Sequence, residues 1–403
     1  MKNYSLHFEQ LDSRQMLSLS TWGLQQIHAN LAQNITIGSK EVVVAIIDSG
    51  MNAKASNVWI NKGEIPNNGI DDEGDGYVDD VNGWNFANNT NVIQDNYGHG
   101  THVAGIVAQV APNISIMPLK FYDDRGIGDT GGAIQAIKYV EMMKELYHVN
   151  IVAVNASWGS YGFSSMLYQE VQNLNKDGIM FVAAAGNSAK NTDIYPIYPA
   201  CLQSDNVISV GALSYSKINL VGFSNYGKDS VDLASPGSII YSNLPNDRYG
   251  YKSGTSMAAP FVTGTIGLMK SVNDSLTVGE IKMDLLSSVN LLPSLEDKTV
   301  SGGVLDANNA VRLAEGLEKI DYDSVKIEPS VVKVTLTKVF GVIKQPYPAD
   351  ISVVINGQEA KTFTAIGQFS EPLKRTMFRR GWNSVDIYEN GVLLSHMRIR
   401  RIV

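Results

Sequence analysis

Val42-Val43-Val44-Ala45-Ile46-Ile47-Asp48-Ser49-Gly50 is a run of six apolar residues closed by an acid, a serine and a glycine. A segment that is apolar at every position, rather than at alternate ones, predicts a strand buried on both faces, as in a parallel sheet. Residues 151–156, 179–184 and 207–210 read the same way, whereas 99–108, 131–146 and 257–270 carry apolar residues on one face at helical spacing. Strands alternating with helices predict an α/β fold, a mostly parallel sheet with helices on both faces. In such sheets sites gather beyond the carboxyl ends of the strands, where Asp48, Ser157 and Asn187 fall.

Two further stretches supply what the acid needs for nucleophilic chemistry. Gly98-His99-Gly100-Thr101-His102-Val103-Ala104-Gly105 offers an imidazole, and Gly254-Thr255-Ser256-Met257-Ala258-Ala259-Pro260 a hydroxyl, each flanked by small residues. A serine hydroxyl is a weak nucleophile at neutral pH, so it requires a base in reach and a third group that fixes the base's tautomer. These motifs, with Ala183-Ala184-Ala185-Gly186-Asn187, resemble those of the subtilisin-like serine proteases, which carry the order Asp, His, Ser. The likeness covers roughly residues 20–315 and implies a subtilisin-like fold and peptide hydrolysis through an acyl-enzyme.

The resemblance implies a role for each residue. Ser256 attacks the scissile carbonyl, His99 is general base and then acid, and Asp48 holds the imidazole without taking its proton. Asn187 and the Ser256 backbone N–H donate to the developing oxyanion; losing one such donor in subtilisin costs about 10² to 10³ in rate. Ser157, Trp158 and Gly159 line the substrate cleft, where the peptide adds as a strand. Trp158 is read as an apolar wall or, alternatively, as a core side chain. Ile197 stands at the floor of the primary specificity pocket, often glycine in the family, and predicts small or medium apolar residues before the scissile bond. His102 is expected to be a packed helix residue, since no His-Glu-x-x-His metal pattern accompanies it.

Between Asn67 and Asn82, the carboxylates of Asp71, Glu73, Asp75, Asp79 and Asp80 crowd a glycine-rich turn. Like charges at this density repel unless neutralised, and hard oxygen ligands suit Ca²⁺, although Asn82 stands where an EF-hand has its closing glutamate. These five residues are the expected ligands of a structural calcium, with Asp95 at a second, weaker site. Stability has to come from packing or bound ions, because the lone cysteine, Cys201, excludes an internal disulfide. Cys201 itself reads as a small buried hydrophobe rather than a reactive thiol.

Composition narrows the partners. The chain has 403 residues, 44% hydrophobic and 18% charged, with formal net charge -8, enough for a full core and without the basic field of a nucleic-acid binder. No run of about 18 apolar residues predicts a membrane span. From about residue 322 the character changes: 331–339 alternates apolar and polar residues, and 351–355 and 385–388 lead into Asn356-Gly357 and Asn390-Gly391, which are hairpin signals. We expect a catalytic domain over 1–320, with an N-terminal extension of about 20 residues, and a β-sandwich-like antiparallel domain over 325–403. Residues 321–403 carry 12 Lys and Arg against 8 Asp and Glu, and Arg379, Arg380, Arg398, Arg400 and Arg401 are read as a solvated face.

Residues 1–10 lack the apolar core of a signal peptide, and the roughly 40 residues before Asp48 are too few for a signal and an inhibitory pro-domain. The expectation is a secreted or cell-envelope protein after removal of both, with a cytoplasmic location as the alternative. A protein or peptide substrate and a pro-domain or inhibitor outside this chain are the partners implied. Two other functions share the motifs: a transamidating ligase or macrocyclase of the same fold, and a vestigial binding protein, which four intact motifs argue against.

Overall fold

A computed structural model of the chain describes residues 21–51 and 57–320, together with the backbone of seven strands between 331 and 401. The chain divides into two compact units, Met1–Lys319 and Ile320–Val403. Residues 1–20, the two Asn-Gly turns and the Arg379-Arg380 pair lie outside the described residues.

The first unit is built on a nine-stranded sheet: β1 (Val43–Asp48), β2 (Trp84–Asn85), β3 (Ser115–Lys120), β4 (Ile151–Ala156), β5 (Met180–Ala184), β6 (Val207–Leu213), β7 (Leu233–Pro236), β10 (Asn290–Leu291) and β11 (Gly303–Val304). The order is β10-β11-β7-β6-β5-β4-β1-β3-β2, and every neighbouring pair is parallel except β10 with β11. From β1 the chain passes to β3 on one side, then returns to β4 on the other. That reversal opens a crevice at the carboxyl ends of β1 and β4.

The two faces are encoded residue by residue in β1. Val44 and Ile46 enter a core formed with helices His99–Val110 and Thr255–Val272, whereas Val43, Ala45 and Ile47 enter a second core under helices Thr130–Glu145 and Ser165–Lys176. Side chains alternate along a strand, so an all-apolar run has to be covered on both sides. Capping follows the sequence too: Asp129, Ser164 and Asp306 accept the N–H three residues on, and Thr277 with Glu280 forms a capping box. Among the described residues no helix is long and apolar enough to cross a membrane.

Between β7 and the Thr255–Val272 helix lies a hairpin of β8 (Ile240–Leu244) and β9 (Arg248–Lys252), which the sequence reading did not anticipate. The second unit holds two antiparallel sheets. One joins β12 (Val331–Val334), β13 (Lys338–Ile343) and β16 (Gly367–Pro372); the other has the order β15-β14-β17-β18, over Gln358–Ala365, Ala349–Ile355, Gly381–Glu389 and Val392–Arg401. The alternating run 331–339 spans two paired strands, β12 and the start of β13. Ile355 pairs with Gln358 and Glu389 with Val392, across the two Asn-Gly positions.

Candidate active site

Asp48 is the last residue of β1, and its carboxylate is fully buried. His99 opens the His99–Val110 helix and directs Nδ1 at both carboxylate oxygens, 2.8 and 2.9 Å away. Gly100 permits this approach: a Cβ there would stand 2.2 Å from the Gly50 carbonyl oxygen and 3.2 Å from Asp48 Cβ. Burial disfavours the imidazolium, but the Asp48 carboxylate, through charge and hydrogen bond, outweighs it and raises the His99 pKa above the ordinary histidine value.

Ser256 lies in the first turn of the Thr255–Val272 helix, whose N-cap is Gly254, without a side-chain cap. Pro260 sits four residues on and has no N–H to give the Ser256 carbonyl. That carbonyl accepts instead from Ser157 Oγ at 2.9 Å. In return Ser256 Oγ donates to the Ser157 carbonyl at 3.1 Å, so its hydrogen bond goes to Ser157 rather than to His99. Asn155 Nδ2 donates to Ser157 Oγ and Thr263 Oγ1 to Asn155 Oδ1, both at 2.9 Å, which ties the end of β4 to the serine's helix.

Asn187 follows β5 and is oriented by Thr255. The Thr255 backbone N–H and Oγ1 both donate to Asn187 Oδ1, at 2.9 and 3.1 Å. An N–H donor requires an oxygen acceptor, so the amide nitrogen is the end left for other partners. Asn225 secures the same loop, donating to the Ala185 carbonyl at 2.7 Å and accepting from Ser188 and Lys190 N–H at 3.0 Å. Asn155, Asn225 and Thr255 escaped the sequence reading. Each is a buried polar residue, which demands hydrogen-bond partners, but Thr263 for Asn155, the 185–190 loop for Asn225 and Asn187 for Thr255 all lie far along the chain.

The segment after β4 runs beside Tyr198: Ser160 N–H donates to the Tyr198 carbonyl and Tyr198 N–H to that of Ser160, at 2.8 and 2.7 Å. Ile197 is buried between two glycines, its Cδ1 2.9 Å from where a Gly186 Cβ would stand and 3.3 Å from one on Gly159. Tyr161 Oη donates to Ser188 Oγ at 3.1 Å, linking this segment to the loop that carries Asn187. Trp158 is half-buried, donates Nε1–H to the Ile47 carbonyl at 3.0 Å and lies 5.2 Å from the Phe121 ring. Its indole is therefore chiefly a core side chain anchored to β1, and the apolar wall expected of it shrinks to the exposed part of the ring.

His102 is fully buried, as its helical position predicts, with Nε2 on the Ile240 and Gly250 carbonyls at 3.1 and 3.2 Å. Burial lowers its pKa to about 4, so the neutral ring braces the helix against the β8–β9 hairpin. Cys201 is half-buried and burial raises its thiol pKa, the opposite of a reactive thiolate.

The five acidic residues of the 67–82 loop are not gathered into one group. Asp71 accepts from the N–H of Gly74, Asp75 and Gly76, and Asp79 from those of Asn68 and Gly69. Backbone amides satisfy these two carboxylates. Glu73 and Asp80 meet Glu64, which the sequence reading left out, with one oxygen of each within 4.8 Å of the others, although Glu64 also accepts from the Asp72 and Asp79 N–H at 2.8 and 3.0 Å. Beside them Asp75 keeps a buried oxygen with no hydrogen-bond partner, and burial, then the charges of Asp80 and Glu73, pushes its pKa up to about 7. Burial likewise raises Asp80 to about 6, although Tyr139 Oη and Asn61 donate to it. Oxygen-only donors of negative charge, one of them orphaned, fit a hard divalent cation.

Asp95 does not fit a second calcium site. It is fully buried and accepts five hydrogen bonds from protein donors, which fill the directions a cation would use.

Residues 39–310 match the model of the subtilase family. Over 316 residues the chain is 33% identical to "Subtilisin-like protease 2" of Plasmodium falciparum (isolate 3D7), covering 74% of this chain and 22% of that protein. It is 30% identical to "Subtilisin DY" of Bacillus licheniformis, over 67% of this chain and 92% of that one. The chain thus spans about a fifth of the Plasmodium protein's length. Among solved structures, a cold adapted subtilisin-like serine proteinase superimposes with a TM-score of 0.54 at 28% identity, covering 67% of this chain and 90% of that one. A lanthipeptide protease, at 22% identity and a TM-score of 0.61 over 74% of this chain and 96% of that one, shares the fold. By its matched motifs, its sheet order and these likenesses, the chain belongs to the subtilase family of serine proteases.

Proposed function

We propose that this chain is a serine endopeptidase that forms its acyl-enzyme on Ser256. The observation that carries the reading is the pairing of His99 Nδ1 with buried Asp48, which leaves Nε2 as the ring nitrogen free to take a hydroxyl proton. Ser256 Oγ turns from the Ser157 carbonyl to His99 as substrate arrives; catalytic hydrogen bonds often tighten only in the complex. Its oxygen then attacks the carbonyl carbon while Nε2 takes the proton, and the imidazolium returns that proton to the leaving amine. Asn187 Nδ2, aimed by Thr255, and the Ser256 N–H at the uncapped helix start stabilise the oxyanion. Water, activated by the same imidazole, releases the acid.

A fluorophosphonate, which phosphonylates an activated serine, is expected to label the intact chain once, on Ser256. Peptide mapping by mass spectrometry reads the position, and a label elsewhere or none overturns the proposal. Peptide products lighter by one water would show an amine, not water, resolving the acyl-enzyme.

The pocket before the scissile bond is shallow in this reading, because Ile197 fills the space between Gly159 and Gly186. Ile197→Gly is expected to raise kcat/KM for peptides with Phe before the cut by at least about 10 to 200-fold relative to Ala, the range a single methylene commands in an apolar pocket. Competition between two fluorogenic peptides measures it; an unchanged ratio removes Ile197 from the specificity site.

We further propose that Ca²⁺ is held by Glu64, Glu73 and Asp80 with Asp75 beside them. Bound there, the ion supplies charge neutralisation to buried carboxylates and takes no part in the chemistry.

A further inference from the structure

Asp95 lies outside the proposed chemistry, yet it is the most heavily bonded carboxylate near it. Its Oδ1 accepts from Ser49 Oγ at 3.0 Å, Tyr97 N–H at 3.0 Å and Gly98 N–H at 2.7 Å. Its Oδ2 accepts from Thr101 N–H at 2.8 Å and Thr101 Oγ1 at 2.7 Å. The first turn of the His99–Val110 helix has only Gly98 as N-cap, so Asp95 supplies the acceptors that a side-chain cap would give.

The second half of the network runs through Ser49. Its hydroxyl donates to Asp95 and accepts from the Gly100 N–H at 2.9 Å, while its own N–H donates to Asp48 Oδ1 at 2.7 Å. One buried carboxylate therefore grips both the end of β1 and the start of the helix. These are the two elements whose relative position sets the His99 to Asp48 contact.

We propose that Asp95 is a positioning residue that fixes Asp48 and His99 against each other through Ser49 and the helix's first turn. This rests on the serine peptidase reading above. A positioning error of about 1 Å costs on the order of 10²-fold in rate. The buried charge also acts on the ring: Asp48 and Asp95 favour the imidazolium and Lys252 opposes it. Removing the Asp95 charge lowers the imidazole pKa, so the reactive neutral form persists to lower pH.

The test is the rate of fluorophosphonate labelling of the full chain against pH, at a temperature where circular dichroism shows each variant folded. Asp95→Asn is expected to slow labelling at the plateau about 100-fold and move the midpoint to lower pH. Ser49→Ala keeps the charge and breaks one link, so it slows labelling about tenfold with the midpoint in place, the size of one lost hydrogen bond. Folded Asp95→Asn protein with the parental rate, or a slower rate with an unmoved midpoint, overturns the proposal. If Asp95→Asn does not fold, Ser49→Ala decides alone, and a rate within twofold of the parent overturns it. Labelling that survives Ser256→Ala overturns the serine reading, and this inference with it.

Discussion

Asp48→Asn is expected to lower kcat by about 10⁴ with little change in KM, the loss that triads of this kind suffer when the carboxylate becomes an amide. The cause lies in hydrogen-bond direction. Asp48 accepts from His99 Nδ1–H through both oxygens and from the Ser49 N–H through Oδ1. An amide nitrogen facing the ring favours the tautomer with the proton on Nε2, which cannot receive one from Ser256. With the raising influence of the carboxylate gone, the imidazole pKa falls, so the residual activity keeps its acid limb at lower pH than the parent. Steady-state kinetics against pH measures both effects, and a folded variant within tenfold of the parent would remove Asp48 from the mechanism.

Chelation of divalent ions is expected to lower the melting temperature by about 10 °C while leaving the fold intact at 25 °C. An ion present at a thousandfold its dissociation constant stabilises by about 4 kcal/mol, and each kcal/mol moves the midpoint of a domain this large by about 2–4 °C. Glu64→Gln should abolish most of that calcium dependence, because Glu64 belongs to the converging group. Asp71→Asn should preserve it, because Asp71 lies outside that group. Calorimetry with EDTA and with added calcium reads the shift; superimposable melting curves would dispose of the site.

The legible parts of this chain are those encoded locally. Buried strands announce themselves as unbroken apolar runs, and the Asp48, His99 and Ser256 motifs are each continuous in sequence, so fold class and candidate chemistry could be read together. The packed His102 was legible for the same reason. Partnerships between distant segments were not. Thr255 orients Asn187 across 68 residues, and Glu64 joins Asp80 only when the loop folds back. Charge density does not separate Asp71 and Asp79 from their neighbours in sequence; only the folded loop shows which carboxylates converge, Glu73 and Asp80 with Glu64. Asp95 misled for the same reason: a buried hydrogen-bond hub and a metal ligand are both acids near glycines.

The alternating faces of β1 bear on when the proposed activity can appear. A slip of one residue against β3 or β4 would exchange the two cores and carry Asp48 about 3.3 Å along the strand onto the opposite face. Hydrophobic segregation and the aim of the acid are thus one and the same register. On the proposed mechanism, a nascent or misassembled chain has no working nucleophile, so activity requires correct assembly of the sheet.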